Sequence, residues 1–432
     1  MNWKDDYKAK LTTAEKAILS IHDGDTVVMS ECAGVPRKVI QALAAHHEDY
    51  YDVQIFHMLT LGDGECFTSE CYNNFRHFTN FLGANSRQHV WSGAGKFFPA
   101  YFKDIPSMLG KEIPCDVAVV TVTEPDREGY CSVGVSCDYA VAAAKRARVV
   151  IAEMNDQMPF TSGGTLLHIS ELTHIVPVNL PLPELQPAHI GEVEAAIGRN
   201  CASLIKDGDT LQLGIGAIPD AVLAELHDKH DLGIHTEMFS DGVVDLVKAG
   251  VITGERKTLH RGKLVATFLM GTKKLYDFVD HNPMVEMFGV DYVNDPNVIA
   301  KNDNMVAINS CIEIDLQGQV ASESMGTKQF SGTGGQVDYV RGAAMSKNGR
   351  SIMAMPSTAA KGKVSRIVAT LTPGAAVTTS RNDVDYVVTE YGIAHLKGMA
   401  IVDRAKALIE IAHPDFREQL REDFKKAYNL NL

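Results

Sequence analysis

The stretch from Ile205 to Gly242, IKDGDTLQLGIGAIPDAVLAELHDKHDLGIHTEMFSDG, indicates how the chain folds. It reads as a short strand, a glycine turn, an apolar helix and a second strand, and one carboxylate, Glu237, stands at the end of that second strand. Open α/β sheets bind their ligands at the carboxyl ends of their strands. The stretch therefore predicts a parallel α/β domain with an acidic side chain at its binding edge.

The first half of the chain repeats this pattern. Three segments match in the same order: HDGDT (22–26) with KDGDT (206–210), HMLTLGDG (57–64) with HTEMFSDG (235–242), and TVTEPDREG with CIEIDLQG. Coincidental turn chemistry is the alternative explanation of any one match. Three matches in order indicate that one α/β domain was duplicated.

A proline-rich connector, PVNLPLPELQP from Pro177 to Pro187, separates the two copies. A chain of 432 residues is also too long for one ordinary core. We therefore predict an N-terminal domain over residues 1–187 and a C-terminal domain over residues 188–432. Because strands alternate with helices in both, each is expected to be an open α/β domain with a largely parallel sheet.

The two copies differ at a position that matters for chemistry. Where the second copy has Glu237, this alignment gives the first copy Leu59, which is apolar. A carboxylate that only one copy carries is not required by the shared fold, so we interpret Glu237 as a candidate catalytic group. The alternative is an acid at the surface or the partner of a helix cap.

Composition excludes several classes of function. The formal net charge of −13 argues against general nucleic-acid binding, which requires a basic surface. No apolar run approaches the ~18 residues of a membrane span, and the N-terminus shows no export signal, so we expect a cytoplasmic protein. The eight cysteines form no CxxC pair and no zinc spacing with histidines, so we expect reduced thiols and no metal site.

The turn between the first strand and the helix is a candidate anion site. It consists of Gly214, Ile215, Gly216, Ala217 and Ile218. Glycines allow a ligand to approach the backbone closely, and a helix N-terminus attracts anions. A tight turn without a ligand is an equally good interpretation. The turn is also half of a dinucleotide fingerprint, with Glu237 at the spacing of a ribose-binding acid, although the third glycine is absent.

Two further features are candidates for lining a binding site. Residues 326–338, GTKQFSGTGGQVD, are glycine-dense, and consecutive N–H groups in such a turn can form an anion nest or an oxyanion hole. A flexible loop is the alternative. Glu390 follows an apolar strand and is either a second acid of the site or a solvated charge at a strand end.

Five segments together carry a family resemblance: GIGAIPDAVL, HTEMFSDGVVDL, GTKQFSGTGGQVDYVRGA, TTSRNDVDYVVTEYGIAHLKG and IAHPDFRE. In this order they resemble the acetyl-CoA hydrolase/transferase family of family I coenzyme A transferases, and the resemblance covers essentially the whole chain. It implies two CoA-transferase-like domains with an active site in the cleft between them. It also implies no metal and no permanently bound cofactor, with coenzyme A as a substrate.

The resemblance assigns roles to individual residues. Glu237 matches the glutamate of the family that carries the acyl group and then CoA, and residues 214–218 match the CoA-binding turn. Asn309 and the pair Gly334 and Gly335 match positions near the thioester and the oxyanion site.

Two acids are assigned to the substrate cleft in the same way. Glu390 matches the acid of the family's EYGIA motif. Glu31 stands in a first-domain loop where the 4-hydroxybutyrate members resembled most have a histidine, so the identity of the acid substrate is open at this point.

The resemblance implies transfer of CoA between a short-chain acyl-CoA and a free carboxylate, with 4-hydroxybutyrate and acetyl-CoA as the expected pair. The implied route is ping-pong, through a glutamyl-CoA thioester on Glu237, and an ordinary carboxyl pKa of about 4.3 would keep this nucleophile ionised. Exchange between butyryl-CoA and acetate and hydrolysis of acyl-CoA are close alternatives. An NAD-dependent oxidoreductase and a non-catalytic CoA sensor are more distant ones. A homo-oligomer, dimer or tetramer, is also expected.

Overall fold

The computed structural model describes residues 2–62 and 69–432. Asp63 and Gly64, the last two residues of the predicted repeat segment 57–64, therefore lie outside the described residues. Within the described parts, no helix is both long enough and apolar enough to cross a membrane.

Contacts group the residues into two compact units: Met1–Gln186 with Val265–Val293, and Pro187–Leu264 with Asn294–Leu432. This grouping differs from the predicted division into residues 1–187 and 188–432 over the segment Val265–Val293. The segment groups with the first unit because its strand Val285–Met287 pairs in parallel with Ser162–Gly163. The predicted domain boundaries themselves stay a prediction.

The helices have the following bounds: α1 Trp3–Lys10, α2 Ala14–Ala17, α3 Arg37–Ala45, α4 Ala84–Ser92, α5 Ile105–Met108, α6 Ala140–Ala144, α7 Glu192–Ala202, α8 Ala217–Ala224, α9 Asp241–Lys248, α10 Lys273–Val279, α11 Val290–Val293, α12 Pro296–Ile299, α13 Gln336–Met345, α14 Ile401–Glu410 and α15 Arg417–Tyr428. Most are short, so their stability depends on packing against the sheets and not on helix propensity.

The first unit is built on a parallel sheet. Its strands are β1 Thr26–Met29, β2 Val53–Phe56, β3 Phe75–Thr79, β4 Lys96–Phe97, β5 Val117–Val122, β6 Val149–Asn155 and β7 His174–Val178. They lie in the order β7-β6-β5-β1-β2-β3-β4 and every neighbouring pair is parallel. Strands β5 and β6 are buried along their whole length, which explains why their sequences are mostly apolar.

The second unit has the same arrangement. Its corresponding strands are β8 Thr210–Leu213, β9 Gly233–His235, β10 Met305–Asn309, β11 Arg350–Ala354, β12 Tyr386–Thr389 and β13 Gly392–His395. They lie in the order β13-β12-β11-β10-β8-β9, and all pairs between β12 and β9 are parallel. The order β12-β11-β10-β8-β9 repeats the order β7-β6-β5-β1-β2 of the first unit. The predicted pair of α/β domains with largely parallel sheets is confirmed.

Shorter strands complete the described structure: Tyr130–Ser132, Ser162–Gly163, Leu166–His168, Met238–Phe239, Leu264–Ala266, Phe268–Leu269, Val285–Met287, Glu313–Asp315, Val320–Ala321, Ser324–Met325, Lys328–Gln329, Thr358–Ala359, Val364–Ser365 and Ile367–Val368. Several of them form two-stranded ribbons, such as Ser324–Met325 with Lys328–Gln329.

Apolar faces of the helices cover both sheets. In the first unit, α3 buries Val39, Ile40 and Leu43 in one cluster with residues of β1 and β2. In the second unit, Leu408 of α14 and Phe424 of α15 lie in the corresponding cluster. Each fully buried side chain of this kind stabilises the fold by roughly 1.5–3 kcal/mol.

The repeated DGDT loops use the same hydrogen bonds in both units. Asp23 accepts a hydrogen bond from the backbone N–H of Tyr51 (2.8 Å), and Asp207 accepts one from the backbone N–H of His230 (2.9 Å). These bonds fasten the loop before the first strand to the loop before the second strand. The DGDT match therefore marks a shared structural device, and not a ligand site.

Backbone pairing in the two sheets gives an independent alignment of the copies. Thr26 lies opposite Gln54 across β1 and β2, and Thr210 lies opposite Gly233 across β8 and β9. Because Thr26 and Thr210 are the matched threonines of the DGDT loops, Gln54 and Gly233 are structural equivalents.

Met58 follows Gln54 by four residues in the first unit, and Glu237 follows Gly233 by four residues in the second. The predicted counterpart of Glu237, Leu59, is therefore wrong by one residue. The sequence match had aligned His57 with His235, whereas the strand register sets these histidines one position apart. Met58 is buried and apolar, so the carboxylate is still peculiar to the second copy.

Two equivalent ion pairs, one in each unit, provide a test of how burial changes the contribution of an ion pair to stability. Asp25 pairs with Arg148 and Asp209 pairs with Arg350, at the same position of each unit. The second pair is far less exposed, with side-chain exposures of 3% for Asp209 and 12% for Arg350 against 13% and 46% for the first pair. We expect Asp209→Ala to lower the free energy of unfolding by about 3 kcal/mol, since it leaves a buried guanidinium unpaired.

Asp25→Ala is the matched control and should lower it by about 1 kcal/mol. Both aspartates also accept one backbone N–H in their own loop, so this common loss cancels in the comparison. Urea unfolding of both variants measures the difference. Equal losses would contradict the assignment of the larger effect to burial.

Candidate active site

The backbone around Glu237 is fixed at the carboxyl edge of the second unit. Glu237 follows β9 by two residues and precedes the short strand Met238–Phe239. The hydroxyl of Thr236 lies 3.1 Å from the carbonyl oxygen of Leu213, at the end of β8, and 2.9 Å from that of Met238. This hydroxyl ties the ends of two neighbouring parallel strands together, so the position of Glu237 follows from the sheet itself.

Two donors hold the carboxylate of Glu237. The side-chain amide of Asn294 donates to Oε2 at 2.6 Å, and the backbone N–H of Gly335 also donates to the carboxylate. The hydroxyl of Tyr339 donates to Oδ1 of Asn294 at 3.2 Å. Because that bond occupies the oxygen end of the amide, the NH₂ end of Asn294 points to Glu237.

Burial raises the pKa of Glu237 to about 7, and the hydrogen bonds from Asn294 and Gly335 act in the opposite direction. The ordinary pKa expected from sequence is therefore not what the fold provides. Burial penalises the charged form of a carboxyl group, whereas donated hydrogen bonds favour it. The side chain keeps an intermediate exposure, so the carboxylate is still within reach of a ligand. A strongly shifted pKa of this kind is typical of functional groups.

Gly335 leaves no room for a side chain. A Cβ atom at this position would lie 2.2 Å from Oε2 of Glu237 and 2.4 Å from Nδ2 of Asn294. Glycine is therefore required because the backbone itself touches the carboxylate. The adjacent Gly334 has a φ of 56°, in the region that favours glycine. Of the two predicted glycines, Gly335 contacts Glu237 directly and Gly334 shapes the turn.

The glycine turn of the second unit borders open space. Gly216 has a φ of 110°, and a Cβ at Gly214 or at Gly216 would meet no atom within 4 Å. The turn leads directly into α8, whose first N–H groups have no partner within the helix. Ile215 is partly exposed beside this space, whereas Ile218 is buried and supports the turn from below. The arrangement suits an anionic ligand, and CoA binding here stays a prediction.

The start of α8 tolerates a proline. Ala217 is the first residue of α8 and Pro219 is its third. The N–H that proline lacks therefore falls in the first turn of the helix, where it has no partner within the helix.

Asn309 stands at the carboxyl end of β10, the neighbour of β8. Its side-chain amide donates to Oε1 of Gln212 at 3.1 Å. Asn309 therefore lies on the same edge of the sheet that carries Glu237. Its observed partner is a neighbouring strand residue, and contact with a thioester stays a prediction.

The two other predicted acids hold backbone. Glu390 accepts hydrogen bonds from the backbone N–H of Ser357 (2.8 Å) and from the hydroxyl of the same residue (2.6 Å). Glu31 belongs to the first unit, is only 2% exposed and accepts the backbone N–H of Leu59 at 3.1 Å. In the described residues, both carboxylates accept hydrogen bonds from nearby backbone. Contact of either one with a substrate stays a prediction.

Asn294 and Tyr339 were not singled out from the sequence. Asn294 stands in a VNDP turn, where asparagine is usual for its turn chemistry alone. Tyr339 follows Gly335 by four residues and so faces the same side of α13, which is a weak signal that could have found it.

The fold matches that of a CoA-transferase crystal structure. The 4-hydroxybutyrate CoA-transferase of Porphyromonas gingivalis superposes with a TM-score of 0.86 at 46% sequence identity, over 99% of this chain and 100% of that one. The model of the acetyl-CoA hydrolase/transferase N-terminal domain matches residues 1–181, and that of the C-terminal domain matches residues 271–424. The chain belongs to the acetyl-CoA hydrolase/transferase family, as its motifs predicted.

Relatives with assigned activities are similar over their whole length. The 4-hydroxybutyrate coenzyme A transferase of Clostridium kluyveri is 57% identical, with 99% of this chain and 100% of the relative aligned. The butyryl-CoA:acetate CoA-transferase of Anaerostipes caccae is 37% identical, with 99% and 98% aligned.

The raised pKa of Glu237 predicts a pH-dependent effect on stability. A carboxyl group whose pKa is higher in the folded state than in the unfolded state destabilises the fold once it ionises. The loss begins above the unfolded pKa of about 4.3 and is complete once the pH has passed about 7. Glu237→Gln removes this charge, so it should be more stable than the wild type by about 1–3 kcal/mol at pH 8 and by clearly less, about 1 kcal/mol at most, at pH 5.

Urea unfolding between pH 5 and pH 8 measures this difference. Glu418→Gln, on the exposed side of α15, reports the general effect of removing one negative charge. A difference between Glu237→Gln and the wild type that does not grow with pH would contradict the raised pKa.

Proposed function

We propose that this protein transfers CoA between a short-chain acyl-CoA and a free carboxylate, with 4-hydroxybutyrate and acetyl-CoA as the preferred pair. The single observation that carries the proposal is the buried carboxylate of Glu237, held by hydrogen bonds from Asn294 and Gly335. The 57% identity to a 4-hydroxybutyrate coenzyme A transferase supports the choice of substrates.

The reaction begins with attack of Glu237 on the thioester carbonyl carbon of the acyl-CoA. A C–O bond forms and the C–S bond breaks, which gives an acyl-glutamyl anhydride and the CoA thiolate. The thiolate then attacks the glutamyl carbonyl carbon, releases the first carboxylate and leaves a glutamyl-CoA thioester. A second carboxylate reverses these steps and leaves as the new acyl-CoA. Covalent catalysis thus divides one difficult exchange into easier steps.

The two donors on Glu237 serve the steps that occur at its own carbonyl carbon. Once Oε1 has attacked, Oε2 becomes the carbonyl oxygen of the acylated side chain. Attack by the thiolate turns this same oxygen into an oxyanion, and the amide of Asn294 already donates to it. The N–H of Gly335 donates to the same carboxylate. Donors that are in place before charge develops stabilise a transition state most effectively.

The turn at residues 214–218 is proposed to receive CoA. Its open face and the unpartnered N–H groups at the start of α8 suit an anionic ligand such as a nucleotide phosphate. Binding energy from the nucleotide and pantetheine parts, remote from the reacting carbon, can then lower the barrier to acyl transfer.

Hydrolysis of acyl-CoA and exchange of butyryl-CoA with acetate are the nearest alternatives. Both use the same nucleophile, and they differ in whether water or acetate completes the reaction. An NAD-dependent oxidoreductase is disfavoured by the site geometry. A ribose-binding acid presents its oxygens to the ligand, whereas Oε2 of Glu237 accepts from Asn294, and Gly335 also donates to the carboxylate.

The covalent step can be detected directly. Incubation with acetyl-CoA alone should leave a CoA adduct on the peptide that contains Glu237. Quenching at low pH, without a reductant that would cleave the thioester, allows the adduct to be detected by mass spectrometry. Glu237→Ala should form no adduct and should lose at least about 10⁴-fold in kcat, because the nucleophile is absent. Full activity of Glu237→Ala without an adduct would sink the proposal.

Substrate choice is tested in the same assay with acetate, butyrate, 4-hydroxybutyrate and succinate as acceptors. We expect the highest kcat/KM for 4-hydroxybutyrate. A preference for butyrate would select the butyryl-CoA:acetate alternative. Release of free acid over many turnovers without an acceptor, beyond the one equivalent per site that adduct formation gives, would select hydrolysis.

Asn294 is predicted to set the pH range of the reaction. Asn294→Ala removes one of the two donors, so the pKa of Glu237 should rise above its value of about 7. We expect kcat/KM at pH 7 to fall by about a hundredfold, with the acidic limb of its pH profile displaced upward. Asn297→Ala, three residues away on an exposed part of α12, is the control and should keep the wild-type profile. An unshifted limb in Asn294→Ala would show that the amide does not act on the nucleophile.

A further inference from the structure

A second buried carboxylate of the same unit, Glu323, organises the glycine-rich segment. Glu323 is 6% exposed, and its side chain is bound by neutral donors from three directions. Oε1 lies 3.3 Å from the hydroxyl of Thr333 and 3.0 Å from that of Thr378, and Oε2 accepts from the amide of Gln329 at 3.0 Å. One carboxylate therefore joins both ends of the 329–333 stretch to Thr378.

The main chain of Glu323 adds to these contacts. Its carbonyl oxygen accepts the backbone N–H of Phe330 at 2.7 Å and that of Ser331 at 3.0 Å. Together with its side chain, Glu323 binds residues from 329 to 333, and this bound stretch ends two residues before Gly335. The sequence predicts an anion nest, an oxyanion hole or a flexible loop for residues 326–338, and Glu323 lies just before this segment.

The far side of the glycine pair is fastened in a similar way. The side chain of Gln336 accepts hydrogen bonds from the hydroxyls of Ser322 (2.8 Å) and Thr379 (3.0 Å), and it donates to the carbonyl oxygen of Ser310 (2.7 Å). Ser322 and Thr379 are the sequence neighbours of Glu323 and Thr378. Two adjacent pairs of residues thus hold the chain immediately before and immediately after Gly334 and Gly335.

This fastening matters because glycine does not fix its own backbone. Two consecutive glycines have more accessible conformations than any other pair, so their N–H groups point in one direction only if their neighbours are held. The N–H of Gly335 must point at the carboxylate of Glu237 to act on it. The residues on either side of the pair therefore decide whether that hydrogen bond exists.

We propose that Glu323 is a positioning residue for the transfer reaction. Its carboxylate holds residues 329–333 so that the N–H of Gly335 faces Glu237 before and during attack on the glutamyl carbonyl. Glu323 does not touch the reacting atoms. This inference rests on the proposed function, since it assigns Glu323 to the same site and the same step.

Glu323→Ala is the direct test. Without the carboxylate the segment gains freedom, so we expect kcat to fall by about ten- to a hundredfold, with the KM for acyl-CoA changed by less than about threefold. The acidic limb of the kcat/KM profile should also move upward, because the hydrogen bond from Gly335 lowers the pKa of Glu237. A purely structural role would not move that limb.

Three further variants make the test specific. Glu323→Gln keeps the shape and some of the acceptors, so it should recover part of the activity and part of the pH shift. Thr333→Val removes a single donor and should give a smaller effect of the same kind if Glu323→Ala does not fold. Glu313→Ala is the matched control, since that carboxylate holds Thr372 through its N–H (2.7 Å) and its hydroxyl (2.8 Å) in another loop of the unit. It should keep kcat within about twofold.

The outcomes separate the two proposals. Wild-type kcat and an unmoved pH profile in folded Glu323→Ala, with Glu237→Ala inactive, would overturn the role of Glu323 and leave the proposed function standing. An active Glu237→Ala without an adduct would overturn the proposed function itself. A reduced kcat with a displaced acidic limb, partly restored in Glu323→Gln, supports the inference.

Discussion

The site depends on one hydrogen-bonded arrangement, the carboxylate of Glu237 between the amide of Asn294 and the N–H of Gly335. Burial alone would favour the neutral acid, and the two donors keep the charged form accessible near neutral pH. In the proposed reaction, the amide of Asn294 also lies on the oxygen that would become negative when a thiolate attacks the acylated side chain. Under that proposal, one side chain both lowers the pKa of Glu237 and stabilises the transition state. Tyr339 supports this arrangement from behind Asn294, because its hydroxyl bonds the amide oxygen and so fixes which end of the Asn294 amide faces Glu237.

The parallel sheet of the surrounding unit fixes the positions of Glu237 and its donors. Thr236 joins the ends of two strands and so fixes the position of Glu237. The glycine-rich segment locates the N–H donor, and Glu323 and Gln336 restrain that segment on either side of its glycine pair. In the first unit the same fold carries Met58 at the register position of Glu237, and its DGDT loop makes the same hydrogen bonds. The shared fold thus supports the chemistry without requiring it.

The sequence was sufficient to predict the fold and the position of Glu237 at the carboxyl edge of the sheet, because both leave local patterns. The strands are short apolar runs, the DGDT loops recur, and a carboxylate stands out where its counterpart is apolar. The one-residue error at Leu59 arose because identical histidines were matched, whereas backbone pairing, which local sequence does not contain, decides the register. Asn294 and Glu323 were missed for a related reason. Asn294 reaches Glu237 across 57 residues of chain, and no local pattern encodes such a contact. The raised pKa was also beyond prediction, since it depends on how much protein surrounds the carboxyl group.

The crowding at Gly335 has a consequence for how this chain can change by mutation. Every single-base change in a glycine codon that alters the amino acid introduces a Cβ atom, and here that atom would overlap the nucleophile and its amide donor. Gly335 therefore cannot be replaced by any residue that is one mutation away without disturbing the site. Gly214 and Gly216 differ, because they face open space. New substrate preferences in descendants of this chain would have to arise around the glycine pair, in residues that shape the acyl group's surroundings, while the pair itself is inherited unchanged.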